Sequence, residues 1–229
     1  MWLLRWDDLT HAHRAVVVEL QARITDRAAQ AGLVVDSALA ERLAAYLALL
    51  AHWNRRINLT ALHLDAPSDD AVDRLLVEPL VAARWVESGD RLAIDVGSGG
   101  GSPAIPLKLA VPGLRMILVE SRVKKAAFLR EVVRQLELLD VDVENQRVED
   151  LATRVDQQGR ADLVTLRAVT PTIKLWGSIR GLLRAGGRVF WFGGRPEWGA
   201  LPAAHGAVRQ GATETIRTPP NSQLSIFTL

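Results

Sequence analysis

The sequence predicts an α/β fold with a doubly wound, mostly parallel sheet, preceded by a helical N-terminal segment. Three observations carry this prediction. An apolar run at residues 92–96 leads directly into a glycine-rich turn, and a second apolar run follows at 116–119. Further short apolar runs then alternate with helical patterns, the order that builds a parallel sheet. The first 88 residues show helical spacing instead. We therefore expect a helical segment at 1–88 and a sheet domain at 89–229.

Composition limits the class of protein. The 229 residues contain no cysteine, which excludes a disulfide framework and thiolate chemistry. No apolar run is long enough to span a membrane, and we expect a cytoplasmic protein. The formal net charge is only +2, so charge alone is weak evidence for a nucleic-acid partner. The five histidines lack the spacing of metal ligands, and no metal is expected.

The first predicted helix lies within residues 1–31. Apolar side chains recur at helical spacing between residues 16 and 24, with arginines among them. This pattern favours an amphipathic helix packed on the domain, and an RNA-contacting arm is the alternative. Gly32 interrupts the pattern.

Two more helices complete the N-terminal segment. Asp36 or Ser37 is placed to cap the second helix, whose apolar stripe covers residues 39–53. The stretch 67–70 predicts a turn and a cap for a third helix that continues to about Val86.

The glycine-rich turn has the features of a nucleoside-binding loop. Glycine allows a sharp turn and a close approach of a ligand to the backbone, because it lacks a Cβ. The segment 104–111 is predicted to be helical, and its first amides favour polar or anionic groups. Glu120 ends the second apolar run about 20 residues further on, where an acid accepts hydrogen bonds from ribose hydroxyls.

Two cofactor classes use such a unit. The dinucleotide fingerprint is G-x-G-x-x-G/A, and Ser102 at its sixth position makes the match imperfect. The spacing Asp95-x-Gly97-x-Gly99-x-Gly101 resembles motif I of the class I S-adenosylmethionine (SAM) methyltransferases. A nucleotide site, or a glycine turn without a ligand, stays open as an alternative.

The remaining pattern extends the sheet. Ser121 is placed to cap a helix that buries Phe128, Val132, Leu136 and Leu139. Further strands are predicted at 141–145, 163–166 and 186–192, and a closing hairpin at 207–216 and 224–229 with its turn at 219–221.

Several segments together resemble one family, the bacterial 16S ribosomal RNA guanine-N(7) methyltransferases of the glucose-inhibited-division B type. The segments are Trp53-Asn54, Asn58-Leu59-Thr60, the glycine motif continuing as Pro103-Ala-Ile-Pro-Leu107, Lys124-Lys125 with Phe128-Leu129, Arg147-Val-Glu149, and Arg167-Ala168. The resemblance covers about Gly32 to the C-terminus. It implies a class I SAM methyltransferase with a seven-stranded sheet and a C-terminal antiparallel strand.

The resemblance also implies a site. Its cofactor residues would be Asp95, Gly97, Gly99, Gly101, Ser102, Glu120, Ser121, Val148, Glu149 and Arg167. Gly97 and Ser102 would line the methionine side, and Glu120 would hold the ribose. Val148 and Glu149 would flank the adenine. Arg167 would orient substrate and cofactor, with a structural ion pair as its alternative role. No general base is expected, since guanine N7 has no proton to lose.

The expected partner is ribosomal RNA or the small ribosomal subunit, bound by a monomer. The cations expected to contact RNA are Arg55, Arg56, Arg74, Lys124, Lys125 and Arg195. The chain departs from the family on this side: Leu75 replaces a histidine, Glu78-Pro79 replaces an Asp-Ser pair, and a lysine is missing after the fifth strand. A methyltransferase acting on another RNA or a small molecule, or a non-catalytic SAM- or RNA-binding protein, therefore stays an alternative.

Overall fold

The structure is a computed structural model that describes residues 11–170, 172–193, 208–209, 214–215 and 223–228; for 11–17, 208–209 and 214–215 it describes only the backbone. The helices are α1 (His11–Gln30), α2 (Ser37–Asn54), α3 (Asp69–Val72), α4 (Glu78–Ala82), α5 (Ala104–Ala110), α6 (Val123–Gln135), α7 (Val148–Leu151) and α8 (Ile173–Leu182). The strands are β1 (Leu92–Val96), β2 (Arg115–Val119), β3 (Val141–Glu144), β4 (Ala161–Arg167), β5 (Leu183–Phe192), β6 (Val208–Arg209), β7 (Glu214–Thr215) and β8 (Gln223–Thr228).

The strands form one sheet with the order β3-β2-β1-β4-β5-β8-β6. Strands β1 to β5 are parallel, and β8 runs antiparallel to β5. The predicted fold class is therefore confirmed. The order reverses at β1, between β2 and β4, which is where a doubly wound sheet binds its ligand.

The far edge of the sheet confirms the predicted hairpin in its described part. Strands β6 and β7 pair with opposite ends of β8, on the side of β8 that β5 leaves open. They therefore occupy one strand position, the seventh of the sheet. The turn predicted at 219–221 lies outside the described residues.

Two hydrophobic cores lie on the two faces of the sheet. The helical N-terminal segment, α5 and α6 cover one face, where Tyr46, Phe128 and Phe190 are fully buried. Helices α7 and α8 cover the other face around Trp176 and Trp191. A sheet covered on both faces explains why β1 is buried along its whole length and reads as a continuous apolar run.

Side-chain caps fix the starts of α2 and α3. The Asp36 carboxylate accepts a hydrogen bond from the Leu39 amide at 2.7 Å and caps α2. The Ser68 hydroxyl accepts one from the Ala71 amide at 3.2 Å and caps α3. Helix α1 packs on the domain, because Ile24 and Ala28 are fully buried. The part of the first predicted helix before residue 11 lies outside the described residues.

Three details differ from the sequence expectations. Ser121 does not cap α6, which begins at Val123 without a side-chain cap. Leu139 is 78% exposed, because α6 ends at Gln135 and the left-handed residue Glu137 breaks the helical phase. Helix α8 was not predicted, although the Thr172 hydroxyl caps it by accepting a hydrogen bond from the Leu175 amide at 3.0 Å.

Candidate cofactor site and substrate face

The loop between β1 and α5 can be formed only with glycines at its key positions. Gly97, Gly99 and Gly101 have positive φ angles of 71°, 50° and 90°. A Cβ on Gly97 would lie 2.9 Å from Val169 Cγ2, and one on Gly101 would lie 2.9 Å from Ile105 Cγ1. The loop therefore presents bare backbone, which leaves room for a ligand to approach.

Backbone hydrogen bonds fix this loop to the end of β2. The amides of Gly97 and Ser98 both donate to the Val119 carbonyl, at 2.9 and 3.1 Å. The Gly101 amide donates to the Ser98 carbonyl at 2.6 Å and closes the turn. The sheet itself therefore holds the loop in this shape.

Asp95 lies beneath the loop rather than on its surface. Its side chain is buried, and Oδ1 accepts a hydrogen bond from the Thr165 hydroxyl at 2.6 Å. Its Oδ2 has no hydrogen-bond partner in the described part of the chain. Burial raises the pKa of Asp95 to about 6, although the hydrogen bond from Thr165 opposes that rise.

Glu120 links the glycine loop to the start of α6. Its Oε2 accepts a hydrogen bond from the Gly99 amide at 2.9 Å, and its Oε1 accepts one from the Arg122 amide at 2.7 Å. The side chain is nearly buried. Each carboxylate oxygen has a second lone pair, so these bonds leave acceptor capacity for a ligand hydroxyl.

A cleft of about 220 Å³ opens at the carboxyl ends of β1 to β4. Four predicted cofactor residues line it: Gly97, Ser121, Val148 and Glu149. It is also lined by residues that were not predicted: Val96, Val119, Gln146, Arg147, Val169, Thr170, Thr172 and Leu175. The sequence placed most of these residues only at or after the ends of predicted strands. That position does not show which side chains face the cleft.

The other predicted cofactor residues lie outside this lining. These residues belong to the glycine loop or to segments next to it: Asp95, Gly99, Gly101, Ser102, Glu120 and Arg167. The Ser102 hydroxyl donates to the Leu75 carbonyl at 2.8 Å and so faces the helical layer. Contacts between these residues and a cofactor stay predictions.

The helix beside the loop changes its hydrogen-bonding pattern. A π-helical turn at Asp73–Val77 joins α3 to α4, with the Glu78 amide bonded to the Asp73 carbonyl. Pro79 has no N–H to give to the Leu75 carbonyl four residues earlier. The turn therefore releases the carbonyls of Arg74 and Leu75 from the usual helical bonds.

Arg167, at the end of β4, takes up one of these released groups. Its Nη1 donates to the Arg74 carbonyl at 2.6 Å, and its Nη2 lies 2.7 Å from Oε2 of the buried Glu78. Its guanidinium lies over the Phe192 ring, 4.9 Å from the ring centroid. The side chain is only 10% exposed. The structural ion pair considered for Arg167 is therefore present.

Two residues outside the glycine loop hold the helical layer against it. The buried Tyr46 hydroxyl donates to the Gly100 carbonyl at 2.7 Å. The Asn54 side-chain oxygen accepts hydrogen bonds from the amides of Leu59 and Thr60, at 2.8 and 3.0 Å. This shapes the Asn-Leu-Thr turn, whose Leu59 packs beside Gly100. Two of the segments that carried the family resemblance, the Asn-Leu-Thr turn and the glycine motif, therefore meet here.

The cations expected to contact RNA are spread over the helical layer and the start of α6. Arg55 pairs with the exposed Asp65 at 2.8 Å, and Arg56 is bonded to the His52 ring at 2.8 Å. Arg74 and Lys124 are exposed and Lys125 is half-buried. Arg195 lies outside the described residues.

Neither a metal site nor a membrane span was found in the described part of the chain. No group of three or more His, Cys, Asp or Glu side chains there is arranged to hold a metal ion. No helix there is long and apolar enough to cross a membrane.

Comparison with solved structures shows the fold. The chain resembles a SAM-dependent methyltransferase from Aquifex aeolicus with a TM-score of 0.54 at 11% identity, over 68% of this chain and 90% of that one. It also resembles the pyocyanin biosynthetic protein PhzM, with a TM-score of 0.56 at 15% identity, over 70% of this chain and 56% of that one.

Comparison with curated sequences shows the family. The family model described as rRNA small subunit methyltransferase G matches residues 39–202. The ribosomal RNA small subunit methyltransferase G of Stenotrophomonas maltophilia (strain K279a) is 41% identical over 72% of this chain and 70% of its own length. That of Chloroflexus aggregans (strain MD-66 / DSM 9485) is 39% identical over 71% and 67%. The chain belongs to the rRNA small subunit methyltransferase G family, whose members are SAM-dependent enzymes.

Proposed function

We propose that this chain transfers the methyl group of SAM to N7 of a guanine in 16S ribosomal RNA. The observation that carries the proposal is the family match over residues 39–202, which includes the glycine loop and the part of the helical layer from residue 39 onward. The switch point of the sheet, with its bare glycine backbone and adjoining cleft, fits the cofactor that this family uses.

The cleft would hold the adenine end of the cofactor, and the glycine loop would hold its methionine end. Val148 and Glu149, with the apolar side chains around them, suit a flat adenine ring. Glu120 has acceptor capacity for the ribose hydroxyls. The glycine loop would take the methionine end, because backbone without side chains lets a ligand approach closely.

The reaction asks the protein for placement rather than proton transfer. The bound cofactor supplies an electrophilic methyl group on a sulfonium. Guanine N7 has a lone pair and no proton to lose, so no general base is needed. The residues of the site need only hold the base in line, exclude water and stabilise the developing charges. We assign Arg167 the role of orienting the substrate and the cofactor.

The helical segment, residues 1–88, would form the RNA-facing layer, and residues 89–229 the cofactor domain. Arg55, Arg56, Arg74, Lys124, Lys125 and Arg195 would contact phosphates. If they do, the affinity for RNA should fall steeply with salt, because each neutralised phosphate releases counterions. We expect a cytoplasmic monomer that needs no metal, since ribosomal RNA is found there and the chemistry needs no Lewis acid.

Mass mapping of nucleosides in 16S rRNA tests the proposal. Cells with the gene should carry a 7-methylguanosine that cells without it lack, and purified protein with SAM should restore the methyl group. Filter binding across salt tests the RNA face separately. Binding of S-adenosylhomocysteine without any change in rRNA would point to another acceptor, and a flat salt response would favour a small molecule.

A further inference from the structure

Glu78 is a buried carboxylate whose position the reaction outlined above does not use. Its side chain is 2% exposed, and its Oε2 lies 2.7 Å from Nη2 of Arg167. A buried carboxylate is costly unless it is paired. Burial raises the pKa of Glu78, while the charge of Arg167 acts against that rise. The chain therefore keeps a buried acid next to Arg167, whose charge offsets part of the cost of burying it.

The arginine in this pair is not fully bound by the protein. Nη1 donates a hydrogen bond to the Arg74 carbonyl, and Nη2 lies 2.7 Å from the Glu78 carboxylate. Nε has no partner within the described residues. It is a buried donor, and buried donors are rarely left unpaired without a functional reason.

The turn that offers the Arg74 carbonyl depends on the same short segment. The Glu78 amide bonds to Asp73 rather than to Arg74, and Pro79 gives no N–H. Glu78 and Pro79 therefore provide both supports of the guanidinium: the carboxylate directly, and the carbonyl through the π-helical turn. The Ser102 hydroxyl takes the neighbouring Leu75 carbonyl and joins this arrangement to the glycine loop.

We propose that Glu78 is a positioning residue for methyl transfer: it holds the Arg167 guanidinium in one orientation at the carboxyl end of β4, with Nε left without a protein partner among the described residues. This inference rests on the proposed function.

A matched buried pair elsewhere in the sheet provides the control. Arg188 on β5 pairs with Asp90, whose side chains are 7% and 1% exposed. Asp90 precedes β1 and therefore lies at the amino ends of the strands, away from the glycine loop. Glu78→Gln and Asp90→Asn each remove one buried negative charge from an arginine, so both should lower the thermal stability.

Four measurements separate positioning from folding: kcat and KM for methyl transfer to 16S rRNA, the Kd for S-adenosylhomocysteine, and Tm. We expect Glu78→Gln to lower kcat about tenfold or more, with the Kd changed less than about twofold. Glu78→Asp keeps the charge and should recover part of kcat. Asp90→Asn should lose stability and keep kcat per folded molecule.

The inference is overturned if Glu78→Gln and Asp90→Asn have the same kcat once the folded fraction is taken into account. If Glu78→Gln does not fold, Arg167→Lys serves instead, because lysine keeps the charge but cannot reach both supports at once. It should lower kcat while the Kd holds, and an unchanged kcat would overturn the inference. A wild-type protein that fails to methylate 16S rRNA would overturn the proposed function itself, and the inference with it.

Discussion

The two ends of the sheet differ in how completely their buried charged groups are hydrogen-bonded. At the amino ends, Asp162 accepts hydrogen bonds from the amides of Arg91 and Leu92 at 2.8 and 2.9 Å and from Arg184 Nε at 2.5 Å. Arg188 there uses both terminal nitrogens, one of them on Glu87 and the Trp85 carbonyl. These groups tie loops to strands and have their hydrogen bonds supplied by the protein.

At the carboxyl ends, some polar atoms of buried charged groups have no hydrogen-bond partner in the described part of the chain. Within the described residues, neither Asp95 Oδ2 nor Arg167 Nε has a hydrogen-bond partner. The contrast has one exception, since Oδ1 of Asp90 at the amino end also has no partner there. Apart from that atom, the buried charged groups at the amino ends are hydrogen-bonded within the protein, which serves stability, whereas the carboxyl ends leave one donor and one acceptor unpaired near the predicted site.

Replacing a glycine should reduce cofactor affinity at the carboxyl end of the sheet and stability at the amino end. This comparison should give the largest effect. Gly97→Val places a branched side chain at φ 71° and against Val169. It should weaken S-adenosylhomocysteine binding about 100-fold or more. Gly187→Ala, whose Cβ would lie 2.8 Å from Leu183, should lower Tm but keep the affinity of the folded protein.

Isothermal titration of both variants, with Tm measured alongside, checks this difference. Affinity lost equally in both variants would mean that the glycine loop acts only through folding.

A pH series should show opposite signs at the two ends. Burial raises the pKa of Asp95 to about 6. Its folded form therefore binds more protons than the unfolded form between about pH 4 and 6, and stability falls as the pH rises through that window. The expected loss relative to Asp95→Asn is on the order of 1–3 kcal/mol.

Asp162 should behave in the reverse way. Burial acts to raise its pKa, but the hydrogen bonds from Arg184, Arg91 and Leu92 together lower it. Its contribution to stability is present above the unfolded value, about 3.9, and is lost as the pH falls. Urea unfolding of the wild type, Asp95→Asn and Asp162→Asn between pH 3 and 7 should therefore give difference curves of opposite slope. Parallel curves would contradict the contrast.

The sequence predicted the sheet end with the glycines more completely than the substrate face. Strand bounds came within a few residues, because buried parallel strands are apolar runs bounded by glycine or charge. The glycine positions were correct because three positive φ angles admit little else. Helix α8 was missed, since Gly177 and Gly181 on its exposed face lower its helix propensity.

The substrate face could not be read in the same way. Arg167 was placed correctly at the end of β4, but its partner Glu78 is 89 positions away in the sequence and on another layer. The π-helical turn that supplies the Arg74 carbonyl leaves no pattern except a proline. Tyr46 was noted only as part of an apolar stripe, and its hydroxyl bond to Gly100 depends on tertiary packing. Long-range polar contacts of this kind have no local signal.

Removal of the Glu120 carboxylate should affect binding at the carboxyl end more than folding. Glu120→Ala leaves ribose hydroxyls without an acceptor and frees the amides of Gly99 and Arg122. We expect a loss of about 1–3 kcal/mol in affinity for S-adenosylhomocysteine by titration. Glu120→Gln keeps an acceptor and should lose less. Unchanged affinity in both variants would remove Glu120 from the cofactor site.

The smallest effect is expected from Tyr46→Phe. This variant tests whether Tyr46, which lies near the loop, contributes only to stability, as the residues at the amino ends of the strands do. The substitution keeps the ring and removes only the donor to the Gly100 carbonyl, so it should cost about 1 kcal/mol of unfolding free energy. The loop should keep its shape, because Gly100 also packs against Leu50 and Leu59 and because Val119 holds the amide of Gly97. Cofactor affinity should therefore change less than about threefold. A loss of affinity larger than the loss of stability would show that the helical layer sets the loop geometry directly, and would place Tyr46 with the functional end of the sheet.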